Sequence, residues 1–313
     1  MRIAILDDYL EVALHCADWT TALPQAELTV FAWHLGDQAQ VIEALQSFDV
    51  IVAMRERTRF PASVIEALPA IKLLVSTGTV NSAIDLDACA RRGVTVGWAP
   101  SVPSAFDSTS EMTWALILAL HKRLPQQDAA LRQGSWQTHM TETVVGKTLG
   151  LLGLGRIGSN VAKVGAVFGM HLIAWSPNLD AASAAAKGVR RVDKQELFAA
   201  SDVLSLHMIL SERSAGIVDR AALQSMKRSA YLVNTARAGL VEEGALLEAL
   251  ERKWIAGAAL DVYPVEPLDA TDPILRHDNV VLSPHLGYVT GDTMRAFYGN
   301  AVARIRQWIA TGQ

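Results

Sequence analysis

The stretch from position 148 to 169, TLGLLGLGRIGSNVAKVGAVFG, narrows the possible folds more than any other part of the chain. An apolar run too short for a helix leads into Gly153, Gly155 and Gly158. A segment of helical periodicity follows, and then a second short apolar run, HLIAWS. Strand, tight turn, helix and strand in that order require a parallel βαβ unit, whose crossover is right-handed. A glycine-rich packing turn is the plain alternative for an isolated match. The strand and helix at the correct spacing favour a dinucleotide-binding turn instead. Gly153 then allows the sharp turn and Gly155 lets backbone approach a pyrophosphate. Gly158 lets helix and strand pack closely, and the helix N-terminus favours the anion.

The same alternation of short apolar runs and helical stretches fills the chain, in two blocks, which is the pattern of parallel sheets covered by helices on both faces. The first block holds RIAILDD, ELTVFAW, DVIVAMR, IKLLVST and VTVGWAP and ends near Pro100. The second holds TLGLLGL, HLIAWS, DVLSLHM, AYLVNTA, AGAALDV and NVVLSPH, six strands that suit a full dinucleotide-binding sheet. Between the blocks, one helical segment is predicted from Thr109 to about Trp136, capped by Thr109 or Ser110 and too apolar to lie exposed, so that burial between domains or subunits is expected. From about Thr290 the tail reads as one amphipathic helix that packs back on the first domain.

Ser176 lies 18 residues beyond Gly158, where an Asp or Glu would accept hydrogen bonds from the ribose hydroxyls of NAD. With Ser there, the carboxylate that would repel a 2′-phosphate is missing. Ser176 and Asn178 can bond either a ribose or a phosphate, and no Arg or Lys follows until Lys187. The expectation is relaxed cofactor choice, NAD or NADP, with NADP(H) usable.

In an open parallel sheet, ligands bind outside the carboxyl ends of the strands. Three polar residues stand just past such ends: Arg237 after AYLVNTA, Glu266 after AGAALDVYPV and His285 closing NVVLSP, up to 48 residues apart in sequence. Each alone reads as a solvated charge or a structural histidine; together they make a proton and hydride site. Imidazolium suits protonation of a carbonyl oxygen near neutral pH, which makes His285 the acid. A neighbouring Glu266 would stabilise its charged form and fix which ring nitrogen faces the substrate. Arg237 would grip carboxylate and carbonyl oxygens through its fork of donors. Thr235 and Ala236, at the same strand end, are expected beside the cofactor.

Other functions are excluded or unsupported. Half of the 313 residues are hydrophobic, and the net charge of -4 with mixed signs argues against nucleic acid or an anionic membrane surface as partner. The run MTWALILAL is about half a bilayer span, so it reads as a buried helix. Asp7 and Asp8 interrupt any signal peptide, and Cys16 and Cys89 are too few and too distant for a disulfide framework, which together predict a cytoplasmic protein. His15, His34, His121, His139, His171, His207 and His277 show no metal-ligand spacing and are read as structural; no metal is expected. No GxSxG elbow supports serine hydrolysis.

Taken together, GLGRIG, SDVLSLH, MKRSAYLVNTARAGLVEEGAL, GAALDVYPVEPL and NVVLSPHLG, in this order, resemble the D-isomer-specific 2-hydroxyacid dehydrogenase family, which includes glyoxylate and hydroxypyruvate reductases. The resemblance covers nearly the whole chain. It implies a Rossmann cofactor domain (101–289) inserted in a flavodoxin-like substrate domain (1–100 and 290–313), and a homodimer built on the cofactor domains. It places Arg237, Glu266 and His285 on catalytic positions, Asp261 beside the nicotinamide, and Arg156 and Ile157 on the pyrophosphate turn. STGTVNSAIDL resembles the loop whose backbone amides hold the substrate carboxylate, which assigns Thr77, Gly78 and Thr79 to substrate, with Arg55 in AMRERT as a further anion contact. Departures are Val80 and Ser82 in that loop, the missing proline in HMILSER, Ala238 after Arg237, and Tyr288 where Gly is frequent.

The leading expectation is reduction of a small 2-keto acid such as glyoxylate, hydroxypyruvate or pyruvate to the D-2-hydroxy acid, with domain closure excluding water. Phosphite or phosphoglycerate oxidation would use the same three residues. Formate chemistry is disfavoured because it pairs the histidine with Gln rather than Glu. A cofactor-sensing binding protein of corepressor type shares the fold, and fold alone does not separate it from the enzyme.

Overall fold

The computed structural model describes residues 1–101 and 107–312. The described chain divides into two compact units, Met1–Ser104 with Val289–Gln313, and Ala105–Tyr288.

In the first unit the five apolar runs form strands β1 (Arg2–Ile5), β2 (Glu27–Val30), β3 (Val50–Ala53), β4 (Leu73–Thr77) and β5 (Thr95–Ala99). All neighbours are parallel and the order is β2-β1-β3-β4-β5, the flavodoxin-like arrangement. The central strands β3 and β4 are buried along their whole length, as expected for a sheet covered on both faces. The tail forms the helix Gly291–Thr311, capped by Thr290. It buries Phe297, Tyr298, Ala301 and Ile305. Asn300 Nδ2 donates to Pro100 O at 2.6 Å, and the Arg304 side chain lies over Gly97, where a Cβ would come within 2.7 Å of its Cγ. The helix therefore packs on the β5 edge of the five-stranded sheet.

The second unit contains β6 (Thr148–Leu152), β7 (His171–Trp175), β8 (Arg190–Arg191), β9 (Val203–Leu206), β10 (Tyr231–Asn234), β11 (Gly257–Leu260) and β12 (Val280–Leu282). They are parallel in the order β12-β11-β10-β9-β6-β7-β8. Strand order reverses between β6 and β9, the switch point at which such sheets bind ligands. Successive residues feed opposite faces: Leu204 and Leu232 join one buried cluster, Val203 and Val233 the other. One strand more is present among the described residues than the six expected. β8 is two exposed arginines, paired to Ile173 and Ala174, with no apolar signal to announce it.

The helical segment expected from Thr109 to Trp136 is two helices, Ser108–Lys122 and Leu124–Arg132, broken at Arg123, whose φ of 45° is left-handed. Asp107, not Thr109 or Ser110, caps the first, accepting from Thr109 N at 2.9 Å. Its apolar side is buried within the second unit through Trp114, Leu116, Ile117 and Leu120. Cys89 is buried, whereas Cys16 is partly exposed. No described helix is long and apolar enough to cross a membrane, and no group of three or more potential metal ligands occurs among the described residues.

Candidate active site

The turn after β6 has the strain and the space that its glycines suggest. Gly153 has a φ of +104°, and a Cβ on it would come within 2.8 Å of the His207 carbonyl oxygen. A Cβ on Gly158 would collide with the Gly153 carbonyl oxygen. A Cβ on Gly155 would meet no other part of the described chain within 4 Å, so the backbone is open to a ligand there. Gly155 is also the N-cap of the helix Arg156–Val167 and offers no side chain to its amides. An open backbone with unsatisfied N–H groups at a helix N-terminus fits a pyrophosphate. Arg156, in the first turn, forms an ion pair with Asp107. β7 ends at Trp175, whose carbonyl accepts from Gly153 N at 2.9 Å, which sets Ser176 just beyond the strand, next to the residue that bonds the glycine turn.

Three strand ends along the same sheet edge carry the remaining candidates. Past β10, Thr235 is buried, with its hydroxyl 2.8 Å from that of Thr113, and Ala236 N donates to Asn234 Oδ1. Arg237 follows in extended conformation; Asn234 Nδ2 donates to its carbonyl at 3.0 Å, and its own Nη1 donates to Ala236 O at 2.7 Å. Past β11 and β12 come Glu266 and His285. His285 Nδ1 lies 2.6 Å from Glu266 Oε2, and Tyr263 N donates to Glu266 Oε1 at 2.9 Å. Both carboxylate oxygens are thereby engaged, and a carboxylate only accepts, so Nδ1 carries the proton and Nε2 is left for chemistry. The two side chains retain 21% and 23% exposure, open enough to meet a ligand.

His285 sits at a φ of +55°, a backbone conformation that needs support from its surroundings. Asp261 supplies it. Its Oδ1 accepts from Ser283 Oγ at 2.5 Å and Leu286 N at 2.7 Å, and its Oδ2 accepts from Gly287 N at 2.8 Å. Ser108 and Thr109 hydroxyls hold the Gly287 carbonyl, each at 2.9 Å. Burial pushes the Asp261 carboxyl up from its ordinary range against these bonds, which pull it down. The position expected to contact the nicotinamide thus also brackets the loop that carries His285. Tyr288 lies against the imidazole, ring centroids 5.3 Å apart and planes at 78°.

In the first unit, Arg55 and the 77–79 loop come together. Arg55 has a φ of +54° and its Nη1 lies against Gly78, itself at +97°. The buried Thr77 hydroxyl accepts from Arg55 N at 3.0 Å, which makes it a brace for that arginine. Gly78 N already donates to Ala99 O at 2.7 Å, so this amide is spent within the sheet edge and Thr79 is the next one in the loop.

Of the histidines read as structural, His207 pairs its Nε2 with Ser205 Oγ at 2.9 Å beneath the glycine turn, and burial drives it down to about 3. His121 Nδ1 donates to Ile117 O at 2.9 Å, and its ring lies tilted against Tyr231, centroids 5.0 Å apart. Sequence reasoning missed Tyr263 and Ser283, which orient Glu266 and Asp261; nothing in their spacing marks them. The sequence shows Lys187 only as the first cation after Ser176; in the fold its Nζ donates to Leu154 O, inside the glycine turn, at 2.7 Å.

Residues 114–287 match the family model described as D-isomer specific 2-hydroxyacid dehydrogenase, NAD binding domain. The chain is 36% identical over 253 residues to D-3-phosphoglycerate dehydrogenase of Archaeoglobus fulgidus, an alignment covering 80% of this chain and 47% of that protein. It therefore spans about half the length of the curated phosphoglycerate dehydrogenases that it matches. It is also 36% identical over 244 residues to glyoxylate reductase of Aeropyrum pernix, covering 75% of this chain and 72% of the relative. Among solved structures, a phosphoglycerate oxidoreductase from Vibrio cholerae superposes with a TM-score of 0.93 at 37% identity, covering 99% of both chains. With its glycine turn, its switch-point topology and these matches, the chain belongs to the D-isomer specific 2-hydroxyacid dehydrogenase family.

Proposed function

We propose that this protein is an NAD(P)-dependent dehydrogenase that interconverts a small 2-keto acid, glyoxylate or hydroxypyruvate for example, and the D-2-hydroxy acid. The observation that carries the reading is the 2.6 Å bond between Glu266 and His285, on the strand-end edge of the sheet that also carries the open glycine turn. The nicotinamide, when bound, supplies or accepts the hydride. Gly153, Gly155, Arg156, Ile157 and Gly158 hold the pyrophosphate, and Ser176 meets the adenosine ribose. Thr235, Ala236 and Asp261 line the nicotinamide side.

In reduction, His285 gives the Nε2 proton to the carbonyl oxygen, while Nδ1 keeps its proton and donates it to the Glu266 carboxylate, whose charge offsets the imidazolium; in oxidation the same Nε2 removes the hydroxyl proton. Arg237 binds the carboxylate and polarises the carbonyl. Residues 1–100 with 290–313 are the substrate domain of this reading, and 101–289 the cofactor domain. Thr79 and Arg55 serve the substrate's anionic group, with Thr77 and Gly78 holding the loop. Ser176 in place of an acid leaves NADPH usable beside NADH. The chain works as a homodimer in the cytoplasm.

The test is oxidation of NADH and NADPH at 340 nm with a panel of keto acids. Turnover of at least one small 2-keto acid with both cofactors is expected. Tight cofactor binding without turnover of any would contradict the enzyme reading, and more than a hundredfold preference for NADH in kcat/KM would contradict the cofactor reading.

A further inference from the structure

In a sheet of this topology the 2′ position of the adenosine ribose lies just beyond the second strand of the glycine-turn half, here β7, at Ser176. Along the sequence the nearest following cations are Lys187, Arg190 and Arg191. The fold ties two of these cations to backbone around the glycine turn and the Ser176 turn. Lys187 Nζ donates to Leu154 O at 2.7 Å, and Leu154 stands between Gly153, which bonds Trp175 O, and Gly155. On the other side, Leu179 N donates to Ser176 O at 3.2 Å, closing a turn, and Arg191 Nε donates to Leu179 O at 3.1 Å from the carboxyl end of β8. Lys187 is thus bonded to the glycine turn that pairs with the end of β7, and Arg191 to the turn that follows Ser176.

Each keeps donors in reserve: two further N–H bonds on Lys187 and both Nη groups of Arg191. The neighbouring acid is held elsewhere. Asp180 Oδ1 accepts from Ser183 N at 2.7 Å and its Oδ2 from Ser183 Oγ at 2.6 Å, in its own helix cap. Arg190 is paired with Glu196 at 2.8 Å and is not part of the arrangement.

We propose that Lys187 and Arg191, with the Ser176 hydroxyl, form a binding site for the 2′-phosphate of a phosphorylated dinucleotide. The cations come from the helix and strand after the Ser176 turn rather than from the residue next to it. The inference rests on the reading that NADPH is usable.

Two nucleotides that differ only by the 2′-phosphate, AMP and adenosine 2′,5′-bisphosphate, test it by titration calorimetry without any turnover. The parent protein should bind the bisphosphate about tenfold or more tightly than AMP, with the advantage shrinking as salt is raised. In Lys187→Met combined with Arg191→Met, the advantage should fall to within about twofold while AMP binding persists; Lys187→Arg should retain it. The single variants Lys187→Met and Arg191→Met, both at exposed positions, should each lose part of the advantage. If the double variant loses AMP and the bisphosphate in the same proportion, the two cations only brace the turn and the site is refuted, while NADPH use stands. If the parent shows no advantage for the bisphosphate, the cofactor reading fails with it.

Discussion

Glu266 accepts one hydrogen bond on each oxygen, from Tyr263 N and from His285 Nδ1, so a substitution there acts on the histidine rather than on an empty space. Glu266→Gln keeps the size but can place an NH2 group against Nδ1–H, which favours the other tautomer and leaves Nε2 wrongly protonated for hydroxyl oxidation. A loss of roughly 10²-fold in kcat is expected, with cofactor affinity by fluorescence titration unchanged. His207 offers a test of stability instead. Burial lowers it to about 3 from 6.5, so between these values the unfolded chain binds more protons than the folded one. Stability should therefore rise with pH across that window and be lost as pH falls through it. His207→Gln should flatten this acid limb in urea titrations between pH 6.5 and pH 4; an unchanged limb would place the acid sensitivity elsewhere.

At the scale of elements, the glycine turn is the stiffest link between sequence and fold. Gly158→Ala must push its Cβ into the Gly153 carbonyl, backbone against backbone, with no flexible side chain to yield. A cost of about 1–3 kcal/mol in chemical denaturation is expected, together with weakened cofactor binding. Gly155→Ala, whose added Cβ meets no other part of the described chain within 4 Å, should leave stability within about 0.5 kcal/mol and affect the cofactor alone. The contrast shows what the sequence makes legible. Periodicity and glycine spacing reveal β6, its turn and its helix, because local sterics decide them. The strand ends that gather Arg237, Glu266 and His285 follow from the parallel topology, which short apolar runs specify. What stays hidden depends on contacts between distant segments. β8 has no apolar residue, and the cap at Asp107 competes with two nearby hydroxyl residues. The reach of Lys187 to Leu154 crosses 33 positions that no local rule connects.

At the scale of the whole molecule, the second unit leaves apolar surface uncovered. Trp136 is 76% and Met140 96% exposed, in a segment that follows the helix Leu124–Arg132 and returns along it, with Gln127 Nε2 donating to His139 O and Glu142 N to His121 O. Leu124 and Leu131 of that helix are exposed as well. These exposed apolar side chains are the face we propose for the second copy in the homodimer, since exposed apolar surface of this kind marks interfaces. Sedimentation should give a dimer for the parent and a monomer for Trp136→Glu combined with Met140→Glu; a parent that sediments as a monomer at micromolar concentration would remove the homodimer. The central claim, however, is the joint work of an imidazole, a carboxylate and a guanidinium beside a nicotinamide, and one comparison meets it directly. With cofactor binding monitored in parallel, His285→Ala should reduce 2-keto acids at least about 10²-fold more slowly than the parent while holding NAD(P)H as tightly. A variant that keeps the parent rate would contradict the account.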